Sequence, residues 1–223
     1  MIEHVYRRAA EARTVDAVIV ATDDERIRRV VETFGGRAAL TRADHASGTD
    51  RLAEVAAIVP CRVVVNVQGD EPLVDPAVID AVVQPLLADP GVEMTTACRP
   101  IETVDELSSP HVVKVVRDER GRALYFSRAA IPHRGPGAAP SADAALSAAR
   151  AHVGLYGYRR DVLLRLAALQ PSELELVESL EQLRALAHGI AIQVVETTHR
   201  AAGVDTPADL ERVRQSFLSE SRT

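Results

Sequence analysis

The feature that most limits the fold is the valine-rich strand from Arg62 to Val67, which stops at Gln68-Gly69-Asp70-Glu71-Pro72. Three consecutive valines favour an extended backbone, and a strand with no polar alternation is one buried in a sheet. In an open α/β sheet, ligands bind beyond the carboxyl ends of the strands. Asp70 and Glu71 therefore fall where a substrate would sit. Two readings of this turn stand. Its carboxylates hold a hard cation such as Mg2+, which takes oxygen ligands, or they form a solvated acidic turn.

The rest of the first half repeats the same grammar. Ile2, Val5, Tyr6 and Ala9 are spaced for one face of a helix. Ala17 to Ala21 reads as a strand, and Asp23 or Asp24 caps a helix that closes at Gly35-Gly36. Arg37 to Leu40 is a second strand. Ser47-Gly48-Thr49-Asp50 has capping-box spacing ahead of a helix reaching Ile58. Asp75-Pro76 supplies a cap and a first-turn proline for the next helix. Strands alternating with helices imply a mostly parallel sheet covered on both faces.

The second half is less regular. Val92 to Arg99 and Val112 to Arg117 read as strands, and Asp118 to Gly121 as a turn. Ala123 to Phe126 returns as a strand, so a β-hairpin is inserted into the α/β order. Pro132 to Arg150 reads as a mobile loop with a weak alanine-rich helix in its second half. His152 to Tyr158 is a strand, and Ser172 caps a helix running to Ala187 before Gly189. Ile190 to Val195 is the last strand, and Thr206-Pro207 opens a C-terminal helix.

A chain of 223 residues can bury a full core. A net charge of -6 argues against general nucleic-acid binding. No apolar run approaches a membrane span, so no membrane insertion is expected. Cys61 and Cys98 lack zinc or CxxC spacing and read as free thiols, which suits the cytoplasm. No GxGxxG, GxxxxGK[ST] or HExxH pattern occurs. Lys114 is the only lysine in an arginine-rich chain. Either its compact charge is needed there or it is a survivor of chance.

Six segments could carry chemistry, each beside a plainer reading. Asp70 and Asp205, the latter in Gly203-Val204-Asp205-Thr206-Pro207, could flank one metal, or Asp205 could simply complement a helix dipole. Ser47 to Arg51 offers amides and hydroxyls at a helix start for a base or phosphate, or only a cap. His152, Gly154, Tyr156 and Tyr158 share one strand face, suiting a ligand-facing sheet or a hydrophilic outer face. Phe126-Ser127-Arg128 ends a strand. Glu181-Gln182 lies on a helix, where solvent exposure is ordinary.

Taken together, these segments resemble one family in its order. Thr41 to Arg51, Asn66 to Pro72, Leu124 to Arg128, His152 to Tyr158, Leu180 to Arg184 and Gly203 to Asp209 match the 3-deoxy-manno-octulosonate cytidylyltransferases, or CMP-Kdo synthetases. The resemblance spans nearly the whole chain. It implies a three-layer, nucleotide-diphospho-sugar transferase-like (Rossmann-like) α/β fold with a mixed, mostly parallel sheet and an inserted β-hairpin. Residues 1–223 would form one cytidylyltransferase domain. The implied reaction joins CTP and the acid sugar Kdo into CMP-Kdo and pyrophosphate, for lipopolysaccharide synthesis. The sugar's anomeric hydroxyl attacks the α-phosphorus, with two Mg2+ ions on the attacking and leaving oxygens.

Carried over residue by residue, the resemblance makes Asp70 and Asp205 the metal ligands and places Arg128 with them in catalysis. Ala21, Thr22, Ser47, Gly48, Thr49 and Arg51 would read cytosine and ribose, with Gln68 and Gly69 nearby. Arg128, His152, Tyr156, Glu181 and Gln182 would hold the sugar acid, Arg128 as a fork on its carboxylate. The family members are cytoplasmic homodimers, and the Pro132–Arg150 loop is expected near the subunit interface.

One family segment, a strand and basic loop of the form IPARYxSxRLPGKPL, does not occur in these 223 residues. Met1 to Val5 aligns with the helix that follows it. The expectation is two open strand edges, at Ala17–Ala21 and Arg62–Val67, a triphosphate without its main cationic cradle, and weak turnover by the chain as given. Two other readings stay open: a synthetase for a different acid sugar, and a non-catalytic relic that still dimerises or binds nucleotide.

Overall fold

The computed structural model describes residues 1–45, 47–133, 135, 146, 148–200, 203–204 and 206–220. The first half follows the sequence pattern closely. Helix α1 (Ile2–Glu11) buries Val5 and Ala9. Strand β1 is Val20–Thr22, shorter than the apolar stretch suggests and shifted to its end. Helix α2 (Glu25–Thr33), strand β2 (Ala38–Leu40), helix α3 (Gly48–Ile58), strand β3 (Val63–Asn66) and helix α4 (Pro76–Ala88) follow. Their starts are set by side chains. Asp24, Ser47 and Asp75 accept from the amides of Arg26, Asp50 and Ala77 respectively, satisfying donors no intrahelical carbonyl reaches.

The second half contains strand β4 (Met94–Pro100), helix α5 (Val104–Ser108), hairpin strands β5 (Lys114–Arg117) and β6 (Ala123–Ser127), and the long strand β7 (Arg150–Arg159). Helices α6 (Arg160–Ala167), α7 (Glu173–Glu178) and α8 (Gln182–Ala187), strand β8 (Ile192–Glu196) and helix α9 (Pro207–Glu220) complete it. Helix α6 has no side-chain cap at Arg159, so no start signal marks it. The helix expected from Ser172 to Ala187 is two. Its capping box forms between Ser172 and Glu175, but Ser179 turns left-handed at φ 53° and breaks the run. Most of the Pro132–Arg150 segment, with its expected alanine-rich helix, lies outside the described residues.

β1 and β2 form a parallel pair of their own. The main sheet has the order β6-β5-β7-β4-β8, with β3 paired to the C-terminal half of β7. β3, β4, β5 and β8 run one way, and β6 and β7 run the other. Most strands thus share a direction, yet every ladder to the central β7 is antiparallel. Among the described residues, β1 and β3 each have one ladder partner. The hairpin turn folds back on β8, where the Val194 amide donates to the Gly121 carbonyl at 2.9 Å.

Helices cover both faces. On one side α1 and α4 pack on Ala97, Val153 and Leu155. On the other, α3, α6 and α8 pack around Met94, Phe126 and Tyr158. The strand β7 feeds both layers because successive side chains alternate across it. Gly157 faces α4 so closely that a Cβ there would stand 2.5 Å from Thr95 Oγ1 and 2.8 Å from Leu86 Cδ1. Among the described residues, no helix is long and apolar enough to cross a membrane.

Candidate active site

The even-numbered residues of β7 floor a cavity of about 390 Å³. Gly154, Tyr156 and Tyr158 come from the strand, and Gly48 and Thr49 from the first turn of α3. Asn66 and Gln68 come from the end of β3, and Ser179 to Gln182 and Arg184 from the α7–α8 corner. The strand stripe thus lines a cavity and is not an outer surface. His152 continues it, with its ring 5.4 Å from that of Tyr156 and 5.0 Å from that of Phe126.

Six of the expected site residues line this one space: Gly48, Thr49, Gln68, Tyr156, Glu181 and Gln182. They arrive from four separate elements. Thr49 Oγ1 donates to Glu181 Oε2 at 2.7 Å, across 132 residues of chain. Gln182 is only 5% exposed, and its Nε2 has no hydrogen-bond partner among the described residues. A buried amide donor left unmet costs about 1–3 kcal/mol, so this one is poised for an acceptor brought in from outside.

Burial governs the charge state of the floor. It pushes the His152 imidazole down to about 3 and holds the Tyr156 and Tyr158 phenols well above their usual range. All three are neutral hydrogen-bonding groups near pH 7. Arg184, buried on the same side, is not free to meet a ligand as an unpaired charge. Its Nη2 donates to Glu175 Oε1 at 2.5 Å, and Asp50 stands 4.0 Å from Nη1.

The remaining expected residues lie around the cavity. Ala21 and Thr22 end β1, with buried Thr22 accepting from the Asp24 amide. Ser47 is spent as the cap of α3. Arg51 bridges to Asp23 Oδ2 at 3.2 Å and to Thr41, tying α3 to the ends of β1 and β2. Gly69 lies against Ile2 at the start of α1. Arg128 donates to the carbonyls of Glu178 at 2.9 Å, Pro110 at 3.1 Å and Ser179 at 3.4 Å. Three of its five N–H groups are thereby used.

Asp70 is half-buried at the strand end, as its sequence position requires. Its carbonyl accepts from the Val204 amide at 3.0 Å, which brings the Gly203–Val204 segment against the turn. Asp205 follows directly but lies outside the described residues. Burial, and then the neighbouring Asp70 charge, push the Glu71 carboxyl up to about 7. Crowded acidic oxygens of this kind fit a hard cation. Among the described residues, no group of three or more His, Cys, Asp or Glu side chains is arranged to hold a metal.

Sequence reasoning did not single out Asn66 and Arg184, and it named Gly154 and Tyr158 only as members of the strand face, with no site role. The parity that groups His152 with Tyr156 includes Gly154 and Tyr158.

The cytidylyltransferase family model matches residues 1–192. The 3-deoxy-manno-octulosonate cytidylyltransferase of Syntrophotalea carbinolica is 55% identical over 217 residues, covering 96% of this chain and 86% of that protein. That of Geobacter sulfurreducens is 52% identical over 221 residues, covering 97% and 88%. Among solved structures, a CMP:2-keto-3-deoxy-manno-octonic acid synthetase complexed with CTP superposes with a TM-score of 0.90. It is 44% identical and covers 98% of this chain and 88% of its own. A 4-diphosphocytidyl-2C-methyl-D-erythritol synthase from Anaerococcus prevotii, at 9% identity and a TM-score of 0.64, shares the fold alone. With six of the expected residues lining one cavity and relatives above 50% identity over nearly its full length, the chain belongs to the cytidylyltransferase family, among the 3-deoxy-manno-octulosonate cytidylyltransferases.

Proposed function

We propose that this chain transfers CMP from CTP to the anomeric hydroxyl of Kdo, releasing pyrophosphate, with residues 1–223 working as one catalytic domain. The observation that carries the residue-level reading is the Thr49–Glu181 hydrogen bond. It joins the start of α3, expected to meet the nucleotide, to the corner expected to meet the sugar acid. Both substrates must lie in adjoining parts of one cavity for a direct transfer, since positioning supplies much of the rate.

In the nucleotide half, Gly48 and Thr49 offer a helix start, and Gln68 and Gly69 flank the ribose side. Ala21, Thr22 and Ser47 shape the edge of this half. Arg51 holds it together through Asp23 and Thr41. In the sugar half, Gln182 Nε2 donates to a sugar oxygen, and neutral His152 and Tyr156 add directional contacts without charge. Glu181 accepts from sugar hydroxyls. Arg128, with two N–H groups beyond its three carbonyl bonds, faces the carboxylate.

Asp70 and Asp205 would hold Mg2+, with the Val204–Asp70 backbone bond fixing the approach of their two segments. Bound there, the cation would offset charge on the transferring phosphoryl group. A homodimer in the cytoplasm, supplying lipopolysaccharide synthesis, completes the reading. The two cysteines are both free thiols, which suits a reducing compartment.

The test is a panel of acid sugars with CTP, scored by pyrophosphate release and by mass of the nucleotide product, with and without Mg2+. Kdo should be the preferred acceptor. Preference for a neuraminic acid or an amino variant of Kdo would overturn the substrate assignment, and metal-independent turnover would overturn the Mg2+ assignment. Light scattering of the active fraction tests the dimer.

A further inference from the structure

Lys114, the chain's single lysine, is fully buried at the start of β5. Its ammonium donates to three backbone carbonyls, Val112 at 2.6 Å, Arg128 at 2.6 Å and Ser109 at 2.8 Å. An ammonium has three donors, and all three are used. The ammonium gathers all three carbonyls onto one nitrogen, whereas a guanidinium spreads its donors over three nitrogens in a plane.

The bonds continue in one direction. Arg128, whose carbonyl Lys114 holds, sends its guanidinium to the carbonyls of Glu178 and Ser179. Glu178 returns the link, accepting from the Arg128 amide at 2.9 Å and from Ser127 Oγ at 2.6 Å. These groups converge on the left-handed Ser179, the residue that breaks α7 from α8. A left-handed residue that is not glycine costs about 1–2 kcal/mol and persists only where its surroundings enforce it. Two and three residues later stand Glu181 and Gln182, both lining the cavity.

We propose that Lys114 and Glu178 are positioning residues. Through Arg128 they lock the Ser179 corner in its left-handed turn and so aim Glu181 and Gln182 into the cavity. This rests on the reading of that half of the cavity as the sugar-acid side.

The test compares the full chain with its Lys114→Met and Glu178→Gln variants by hydrogen exchange and by kinetics. Exchange should rise at residues 178–184 while α3 and α4 stay protected. The KM for Kdo should rise about tenfold, the scale of one lost charge-assisted hydrogen bond, with the KM for CTP within about twofold. A merely structural role would lower thermal stability and raise both KM values together, and that result overturns the proposal. So does unchanged exchange at the corner in both variants. If Lys114→Met does not fold, Glu178→Gln decides, because its side chain is only half-buried. If the unaltered chain does not use Kdo, the substrate reading fails, while the exchange data still decide whether the corner is held this way.

Discussion

Thr96 Oγ1 and His152 Nε2 stand 2.9 Å apart across the β4–β7 ladder, behind the cavity floor. Packed between Phe126 and Tyr156, this half-buried imidazole is shielded from much of the water that would support a charge. In the unfolded chain it titrates near 6.5, but in the fold burial pushes it down to about 3. As pH falls below 6.5 the unfolded chain therefore takes up a proton that the folded chain refuses. The stability held above pH 6.5 is lost progressively toward pH 3, by at most about 5 kcal/mol. His152→Gln should flatten that part of the stability curve in urea denaturation. A ring resonance titrating near 6.5 in the folded protein would contradict this.

Asp70→Asn removes one negative charge and little volume from a half-buried turn. Turnover should fall about a hundredfold or more, as expected for loss of a metal ligand, with the circular dichroism spectrum unchanged. The apparent Mg2+ requirement should shift to higher concentration. Activity equal to that of the unaltered chain at every Mg2+ concentration would remove Asp70 from the metal site.

Gln182→Leu should separate stability from binding in opposite directions. The substitution deletes a buried donor that has no partner, so the ligand-free protein should gain about 1 kcal/mol. The KM for the sugar acid should rise about tenfold, because the acceptor on the sugar then goes unmatched. Denaturant melts and initial rates on the same preparation check both halves. A loss of stability would mean that Nε2 finds a partner in solution.

The two nearby glycines of β7 should respond differently to added bulk. Nothing lies within 4 Å of a Cβ at Gly154, so Gly154→Val should leave the melting temperature nearly unchanged while filling part of the cavity and blocking the sugar. Gly157→Ala drives a methyl into Thr95 and Leu86 and should cost about 1–3 kcal/mol. Equal melting temperatures for the two variants would contradict the packing of α4 against β7.

The first half of the fold was legible because its signals are local. Asp24, Ser47 and Asp75 each precede a helix and each caps it. The broken helix after Ser172 was not legible, since Ser179 has no intrinsic reason to turn left-handed. It does so under bonds to Arg128, which is 51 residues earlier in the chain. Helix α6 was equally silent, having neither a cap nor a glycine stop. Of the site, the stripe from His152 to Tyr158 follows from strand parity, and Asp70 from its place at a strand end. The uses of Arg51 and Arg128 were hidden, because their partners are tertiary: Asp23 and Thr41 for one, three carbonyls for the other.

β7 carries a consequence for how this protein can change. One face of the strand supplies Gly154, Tyr156 and Tyr158 to the cavity, and the other sends Val153 and Leu155 into the layer beneath α4. A slip of one residue would exchange the two sets, setting aliphatic groups in the cavity and an imidazole and phenols against α4. Substitutions at Gly154 or Tyr156 can therefore retune the ligand with little effect on the core, whereas Tyr158 also belongs to the layer under α3 and α6. A single-codon insertion or deletion between 151 and 158 would erase recognition and folding together, so in a mutational scan this stretch should tolerate point changes at Gly154 and Tyr156 but no change of length.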